Sequence, residues 1–334
     1  MNFNELGRTL IVAEIGVNHE GDVDVAADLV RQAAVSGADA VKLQTFEIQH
    51  YISSVQPERR DRTARFELTR ADFRRLASVA RESGLILVST PLGFDDVDFL
   101  DELIPFYKVS SGDLTHLQLV RLVASKGKPL IVSTGLGTRE EIAAAVEAVT
   151  QEQPDARESG HLMLMHCVSA YPTPPDEAGL ANIRWLSEEF DLPIGYSDHT
   201  LGTKACELAV AAGAVAVEKH FTYRKENQTF HDHALSADPQ DLTELVKVIR
   251  HAEVYIGPGP RERQPCEMPM LEHMRRSLGA AVDIRAGQPL APAWIAFLRP
   301  ARGVSVDRLD EVLGMRLKRD VAAGDLIRDE DLET

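Results

Sequence analysis

Eight short apolar runs, each ending on polar or ionisable side chains and each followed by an amphipathic stretch, constrain this chain more than any other feature. The runs are Leu10–Ile15, Ala40–Gln44, Leu85–Ser89, Phe106–Val109, Leu130–Ser133, Leu162–His166, Ile194–Tyr196 and Val215–Glu218. Runs this short suit strands. Between them apolar residues recur at helical spacing, most clearly over Val25–Val35 and Phe73–Arg81, with an Ala-rich Glu140–Val149 and a closing Leu242–Tyr255. Alternating strands and helices predict a parallel sheet. Eight such units over about 250 residues predict a (β/α)₈ barrel of the TIM type. A doubly wound sheet would have fewer strands and a glycine-rich phosphate turn after the first; here the first strand runs into Glu14-Ile15-Gly16-Val17-Asn18-His19.

Barrel active sites lie at the C-terminal ends of the strands, so the residues that end each run are the candidates. Strand one ends at Glu14, and strand two carries Lys42 and Gln44. Strand three ends in Ser89-Thr90-Pro91 and strand four in Lys108-Val109-Ser110-Ser111-Gly112-Asp113. The remaining four end in Ser133-Thr134-Gly135, His166-Cys167-Val168-Ser169, Ser197-Asp198-His199 and Glu218-Lys219-His220. Two chemistries stand out. Lys42, Lys108, Thr90, Ser111, Ser133 and Ser197 form a donor-rich ring suited to a phosphate and a carboxylate. His199, His220, Glu14 and Asp232 combine imidazoles with carboxylates, a set suited to a divalent ion such as manganese or zinc. Blander readings stand beside these. A lysine inside a strand also occurs in a structural salt bridge, and Ser or Thr at a strand end often caps the next helix. His166 reads equally as packed core, His19 as a turn cap, and His231-Asp232-His233 as a solvated loop. Glu58-Arg59-Arg60-Asp61-Arg62 reads most simply as an exposed helix start.

The pattern breaks at Gly257-Pro258-Gly259-Pro260, followed by Pro265 and Pro269. This predicts a barrel over 1–256, an extended linker over 257–271 and a small β-rich domain over 272–334, with strand-like pieces at Ser277–Val282 and Ala293–Leu298. A unit of that size is marginal alone and gains from docking on a barrel or a partner subunit. The balance of 36 Lys and Arg against 52 Asp and Glu, net −16, argues against nucleic-acid or membrane-surface binding. Three scattered cysteines, no signal-peptide start and no apolar run of membrane length lead to the expectation of a cytoplasmic protein.

The ordered motifs resemble the sialic acid (nonulosonate) synthases. The resemblance is carried by Ala13-Glu14-Ile15-Gly16-Val17-Asn18-His19-Glu20-Gly21, Val41-Lys42-Leu43-Gln44-Thr45 and the ends of strands three to five. It continues through Tyr171-Pro172-Thr173-Pro174, Gly195-Tyr196-Ser197-Asp198-His199-Thr200, Glu218-Lys219-His220-Phe221, Asp232-His233-Ala234-Leu235-Ser236 and Arg275-Arg276-Ser277-Leu278. The last 60 or so residues look like the family's antifreeze-like (SAF) domain, with Leu298-Arg299-Pro300 at the expected point. The resemblance implies condensation of phosphoenolpyruvate with an open-chain N-acyl hexosamine, such as N-acetylmannosamine, to a nine-carbon 2-keto sugar acid and phosphate. It implies that Lys42, Thr90, Lys108, Ser111, Ser133 and Ser197 hold phosphoenolpyruvate. His199 and His220 would bind a divalent metal, manganese first, with magnesium or cobalt as alternatives. Glu14, Tyr171, His220 and Asp232 would serve the sugar and proton transfer. Arg299 would be inserted over the barrel mouth of the partner in a domain-swapped homodimer.

Two positions depart from the family pattern. Ser169 stands where many N-acetylneuraminate synthases have Asn, and Asp113 stands where the strand-four motif carries Glu, one methylene shorter. Both bear on the choice of sugar more than on the reaction. The nearest rivals are a legionaminic or pseudaminic acid synthase, a 3-deoxy-octulosonate phosphate synthase, and a non-catalytic sugar-binding relative. Retention of both lysines, both histidines and both carboxylates counts against the last.

Overall fold

The computed structural model describes residues 1–334 apart from 227, 229, 258, 261 and 334, so Pro258 and residue 261 of the expected linker lie outside the described residues. The chain separates into two compact units, Met1–Gly257 and Pro258–Thr334.

The first unit is the predicted barrel. Its strands are β1 (Leu10–Gly16), β2 (Ala40–Thr45), β3 (Ile86–Pro91), β4 (Tyr107–Val109), β5 (Leu130–Ser133), β6 (Leu162–Cys167), β7 (Ile194–Asp198) and β8 (Ala216–His220). They form one parallel sheet in the order β3-β2-β1-β8-β7-β6-β5-β4. The two ends of that order, β3 and β4, lie side by side. Strand periodicity then sorts the side chains. Ile11, Ala13 and Ile15 pack outward against the helices, whereas Leu10 and Val12 join Phe3, Val88, Phe106, Ile131, Met163 and Met165 in a separate plug inside the barrel. One step further along each strand the inward position turns polar: Val12 gives way to Glu14, Ala40 to Lys42, Val88 to Thr90, Phe106 to Lys108 and Ile131 to Ser133. The apolar plug is thus the floor on which a polar layer stands.

The helices begin where the sequence supplies caps. Asp22 accepts from the backbone N–H groups of Asp24 and Val25 ahead of Val23–Val35. Reciprocal capping boxes open Arg70–Glu82 (Thr69 with Asp72), Arg139–Glu152 (Thr138 with Glu141) and Pro239–Ile256 (Asp238 with Asp241). Strands β7 and β8 run two residues past their expected ends, because Ser197, Asp198, Lys219 and His220 stay in the ladder, with Ser197 bonded to Glu218 and Asp198 to Lys219 across the two strands. Among the described residues no helix is long and apolar enough to cross a membrane.

The second unit has its own core of Leu278, Ile284, Leu290, Val304, Leu317 and Val321. Strand β9 (Ser277–Ala280) pairs antiparallel with β10 (Ile295–Leu298), Ser277 opposite Leu298. Residues 292–294 form a 3₁₀ turn rather than the start of the second strand. The linker is not extended throughout: a 3₁₀ turn at Pro265–Glu267 leads into a helix at Met268–Met274. Pro265 and Pro269 sit in the first turns, where a missing N–H costs nothing.

Candidate functional site

The polar layer opens into a cavity of about 360 Å³ at the C-terminal ends of the strands. Glu14, Lys42, Thr90, Lys108 and Ser133 reach it from β1 to β5, and Ser197, Glu218 and His220 from β7 and β8. The following loops add Ser111, Ser169, Tyr171 and His199. Asp113, Asp232 and Arg299 are not on its wall. Asp113 stands behind Ser110, whose hydroxyl donates to its carboxylate at 2.6 Å. Asp232 lies behind His220, its Oδ2 3.8 Å from Nδ1. Arg299 belongs to the second unit, where it is exposed after β10.

Four buried ionisable side chains form the cavity floor. Lys42 Nζ is 2.7 Å from Glu14 Oε2 and 3.7 Å from Glu218 Oε1, and Lys108 Nζ is 3.5 Å from Glu218. Thr90 lies 3.5 Å from Lys42 Nζ, and the Ser197 hydroxyl donates to Glu218 at 3.0 Å. Burial pushes Glu14 up to about 7, partly opposed by Lys42. Burial works the same way on Glu218, but Lys108 and Lys42 together hold it below the usual carboxylate range. Burial acts to lower both lysines. Glu14 and Glu218 outweigh it at Lys42, which is raised, while Lys108 ends lowered. Glu218 is thus the hub joining both lysines to Ser197, a role its sequence position did not reveal. The signal was strand alternation: Glu218 shares the inward face with His220, and Lys219 points the other way.

Ser111 accepts from the Gly135 N–H at 3.1 Å and lies 3.0 Å from Cys167 Sγ. A Cβ at Gly135 would come within 2.6 Å of Ser169 Oγ and 2.7 Å of Ser111 Oγ, so only glycine lets these hydroxyls converge. Tyr51 and Arg59 also reach the cavity wall, from the two helices Ile48–Tyr51 and Pro57–Ala64 that follow β2. The charged segment that read as a plain helix start is indeed a helix, Pro57–Ala64, yet it sends one guanidinium to the site.

The two histidines face each other with ring centroids 5.5 Å apart, and the Tyr171 ring lies 4.2 Å from His199 and 6.1 Å from His220. His199 Nδ1 donates to the Val168 carbonyl at 2.7 Å, which leaves Nε2 with a free lone pair. His220 is buried with Nδ1 lacking any hydrogen-bond partner. Burial lowers both imidazoles, His220 strongly, with His199 and the nearby lysines adding to the effect there. Neutral imidazoles are the ligating form. Two imidazoles on one cavity wall, pushed toward the neutral form by burial and one with its tautomer fixed by a carbonyl, fit a divalent ion held by two histidines with open positions. Among the described residues no three His, Cys, Asp or Glu side chains converge as a closed metal cage.

Other sequence candidates resolve as packing. His166 bonds the Ala178 carbonyl at 2.9 Å and stacks on Tyr196. His19 Nδ1 accepts from the Gly21 N–H in a turn. The 231–233 segment is not a solvated loop: Asp232 and His233 are buried, and His233 bonds Thr222 and Glu20.

Residues 29–261 match the model of the NeuB family, and residues 275–333 match the SAF domain. The chain is 40% identical to an uncharacterized protein, MJ1065, of Methanocaldococcus jannaschii, over 97% of this chain and 94% of that one. It is 36% identical to the N,N'-diacetyllegionaminic acid synthase of Legionella pneumophila, again over 97% and 94%. Its structure is similar to that of N-acetylneuraminic acid (sialic acid) synthetase from Leptospira borgpetersenii, with a TM-score of 0.75, 30% identity, and 79% of this chain and 90% of the other covered.

Proposed function

The chain belongs to the NeuB family and carries an SAF domain at its C-terminal end, and from that premise we propose that it condenses phosphoenolpyruvate with an N-acyl hexosamine. The product is a nine-carbon 2-keto sugar acid of the sialic acid type, with release of phosphate. One observation supports this above the others: two buried lysines within a ring of hydroxyls share a single cavity with two imidazoles that burial pushes toward the neutral form.

In this reading Lys42, Lys108, Thr90, Ser111, Ser133 and Ser197 hold the phosphate and carboxylate, fixing the methylene carbon within reach of the sugar aldehyde. His199 and His220 would hold a divalent ion, most simply manganese, which would supply Lewis-acid polarisation of the aldehyde oxygen. The methylene carbon bonds to the aldehyde carbon, water adds to the cationic centre left behind, and phosphate departs by C–O cleavage. Glu14, poised near neutrality, orients that water or moves its proton, and Asp232 serves His220 from behind. Tyr171 shields the histidines on the sugar side. Arg299 completes the site of the partner subunit in a swapped homodimer.

N-acetylmannosamine is the first acceptor to test. A diacetamido hexose is the second, favoured by the 36% identity to the Legionella pneumophila enzyme. The test is phosphate release from phosphoenolpyruvate against a panel of acceptor sugars, with the product identified by mass. Sugar-dependent release giving a mass equal to sugar plus pyruvate supports the reading; no release with any acceptor overturns it.

A further inference from the structure

Behind the histidines, on the helix side of the barrel wall, lies an ion pair that none of the chemistry above uses. Asp198 and Lys219 are register partners at the ends of β7 and β8. The next residue along each chain is a histidine of the site, His199 and His220. Both side chains of the pair are fully buried, and Lys219 Nζ bonds Asp198 Oδ2 at 2.8 Å and the Thr200 carbonyl at 2.6 Å. Asp198 Oδ1 accepts from the Thr200 N–H at 2.9 Å and from the Tyr196 hydroxyl at 3.1 Å, and Cys206 Sγ lies 3.4 Å from Oδ2. The backbone on both sides of His199 is therefore fastened to the strand that carries His220.

We propose that the Asp198–Lys219 pair is a positioning device that fixes His199 and His220 relative to each other and so sets the affinity of this rim for a divalent cation. The inference rests on the metal reading of the two histidines.

Energetics favour this over a purely stabilising role. The layer between strands and helices is mainly apolar, and a buried ion pair there is often no better for stability than apolar residues of the same size. What it adds is directionality. Lys219 spans from one strand to a carbonyl beyond the end of the other, and Asp198 holds the N–H of that same residue. His199 lies past the last ladder residue of β7; there its carbonyl accepts from the Thr173 N–H and its ring bonds the Val168 carbonyl, ties to the loop after β6 that leave its position relative to β8 to the ion pair. The pair extends the cross-strand tie by the step needed to bring both imidazoles level.

The test uses the full chain stripped of metal, then titrated with Mn²⁺ and, separately, with phosphoenolpyruvate. Lys219→Met removes the clamp but leaves Asp198 buried and charged. The double variant Asp198→Asn with Lys219→Met leaves no charge buried and guards against a failure to fold. Mn²⁺ affinity is expected to fall by about 10- to 100-fold, the usual cost of losing a partner that orients a metal ligand. Phosphoenolpyruvate affinity should stay near that of the parent, because Lys42 and Lys108 face the other side of the wall. A lowered melting temperature with Mn²⁺ affinity unchanged would show the pair to be structural and overturn the proposal. Equal losses of Mn²⁺ and phosphoenolpyruvate affinity would also overturn it, as a general loosening of the rim. If the parent chain itself binds no Mn²⁺, the metal reading fails first, and the proposal with it.

Discussion

Lys42 and Lys108 bring two positive charges to a floor where Glu14 and Glu218 supply two negative ones. A phosphate and a carboxylate entering such a balanced cluster gain most if one carboxylate is neutral, and Glu14, raised to about 7 by burial, is the group able to be so. Replacing either lysine with Met should weaken phosphoenolpyruvate binding by about 1.5–3 kcal/mol, one to two decades, as read by calorimetry. Normal binding by both variants would remove them from the phosphate ring. The pH dependence has a definite sign. Below about 7 Glu14 holds its proton and leaves Lys42 to the substrate; above it the carboxylate competes for Lys42 and repels the phosphate. Affinity should therefore decline as pH rises through 7, and Glu14→Gln should flatten that decline. Comparing the two proteins separates Glu14 from the phosphate's own ionisation near pH 6. Both lysines are legible in the sequence, since an ammonium inside an apolar run demands a partner. Glu218 is not: it stands among three consecutive polar residues, and only the two-residue period of a strand already placed in the barrel separates it from Lys219.

The strands decide which residues meet. Each inward face changes from apolar to polar after its plug residue, so the position of a side chain along its strand sets its height in the barrel. β7 and β8 extend that polar layer to the two histidines, and this places the metal prediction at the level of elements. Chelation with EDTA should abolish turnover and manganese should restore it, while full activity in rigorously metal-free protein would refute the assignment. His199→Ala should keep the fold, since His199 lies beyond the last ladder residue, and lose activity by orders of magnitude. Element types follow from the sequence because periodicity and caps are local. The ends of β7 and β8 do not, because polar residues there look like loop until their cross-strand partners are known. The helix at Met268–Met274 escapes for a related reason: two prolines in ten residues suggest extended chain, yet each occupies a first turn that tolerates it.

At the scale of the molecule, the change of texture near Gly257 is visible in the sequence, but the task of the second unit is not written in that unit alone. Arg299 is exposed there, while the cavity floor lies in the first unit. Its proposed role, completing the partner's cavity, comes from family resemblance and can be decided by mixing. Arg299→Ala leaves the barrel whole and spoils the arginine; Lys108→Met spoils the barrel and leaves the arginine whole. Each protein alone should be nearly inactive. When subunits exchange, a swapped dimer of one chain of each kind contains one site with both lesions and one with neither. Activity should then return, to about a quarter of the parent level at random exchange, because half the dimers are mixed and one of their two sites is intact. If Arg299 serves its own barrel, both sites of every mixed dimer stay broken and no activity returns. Exchange itself must be followed independently, for instance by mass-tagged subunits. Silence despite complete exchange would reject the swap while leaving the proposed chemistry of the barrel untouched.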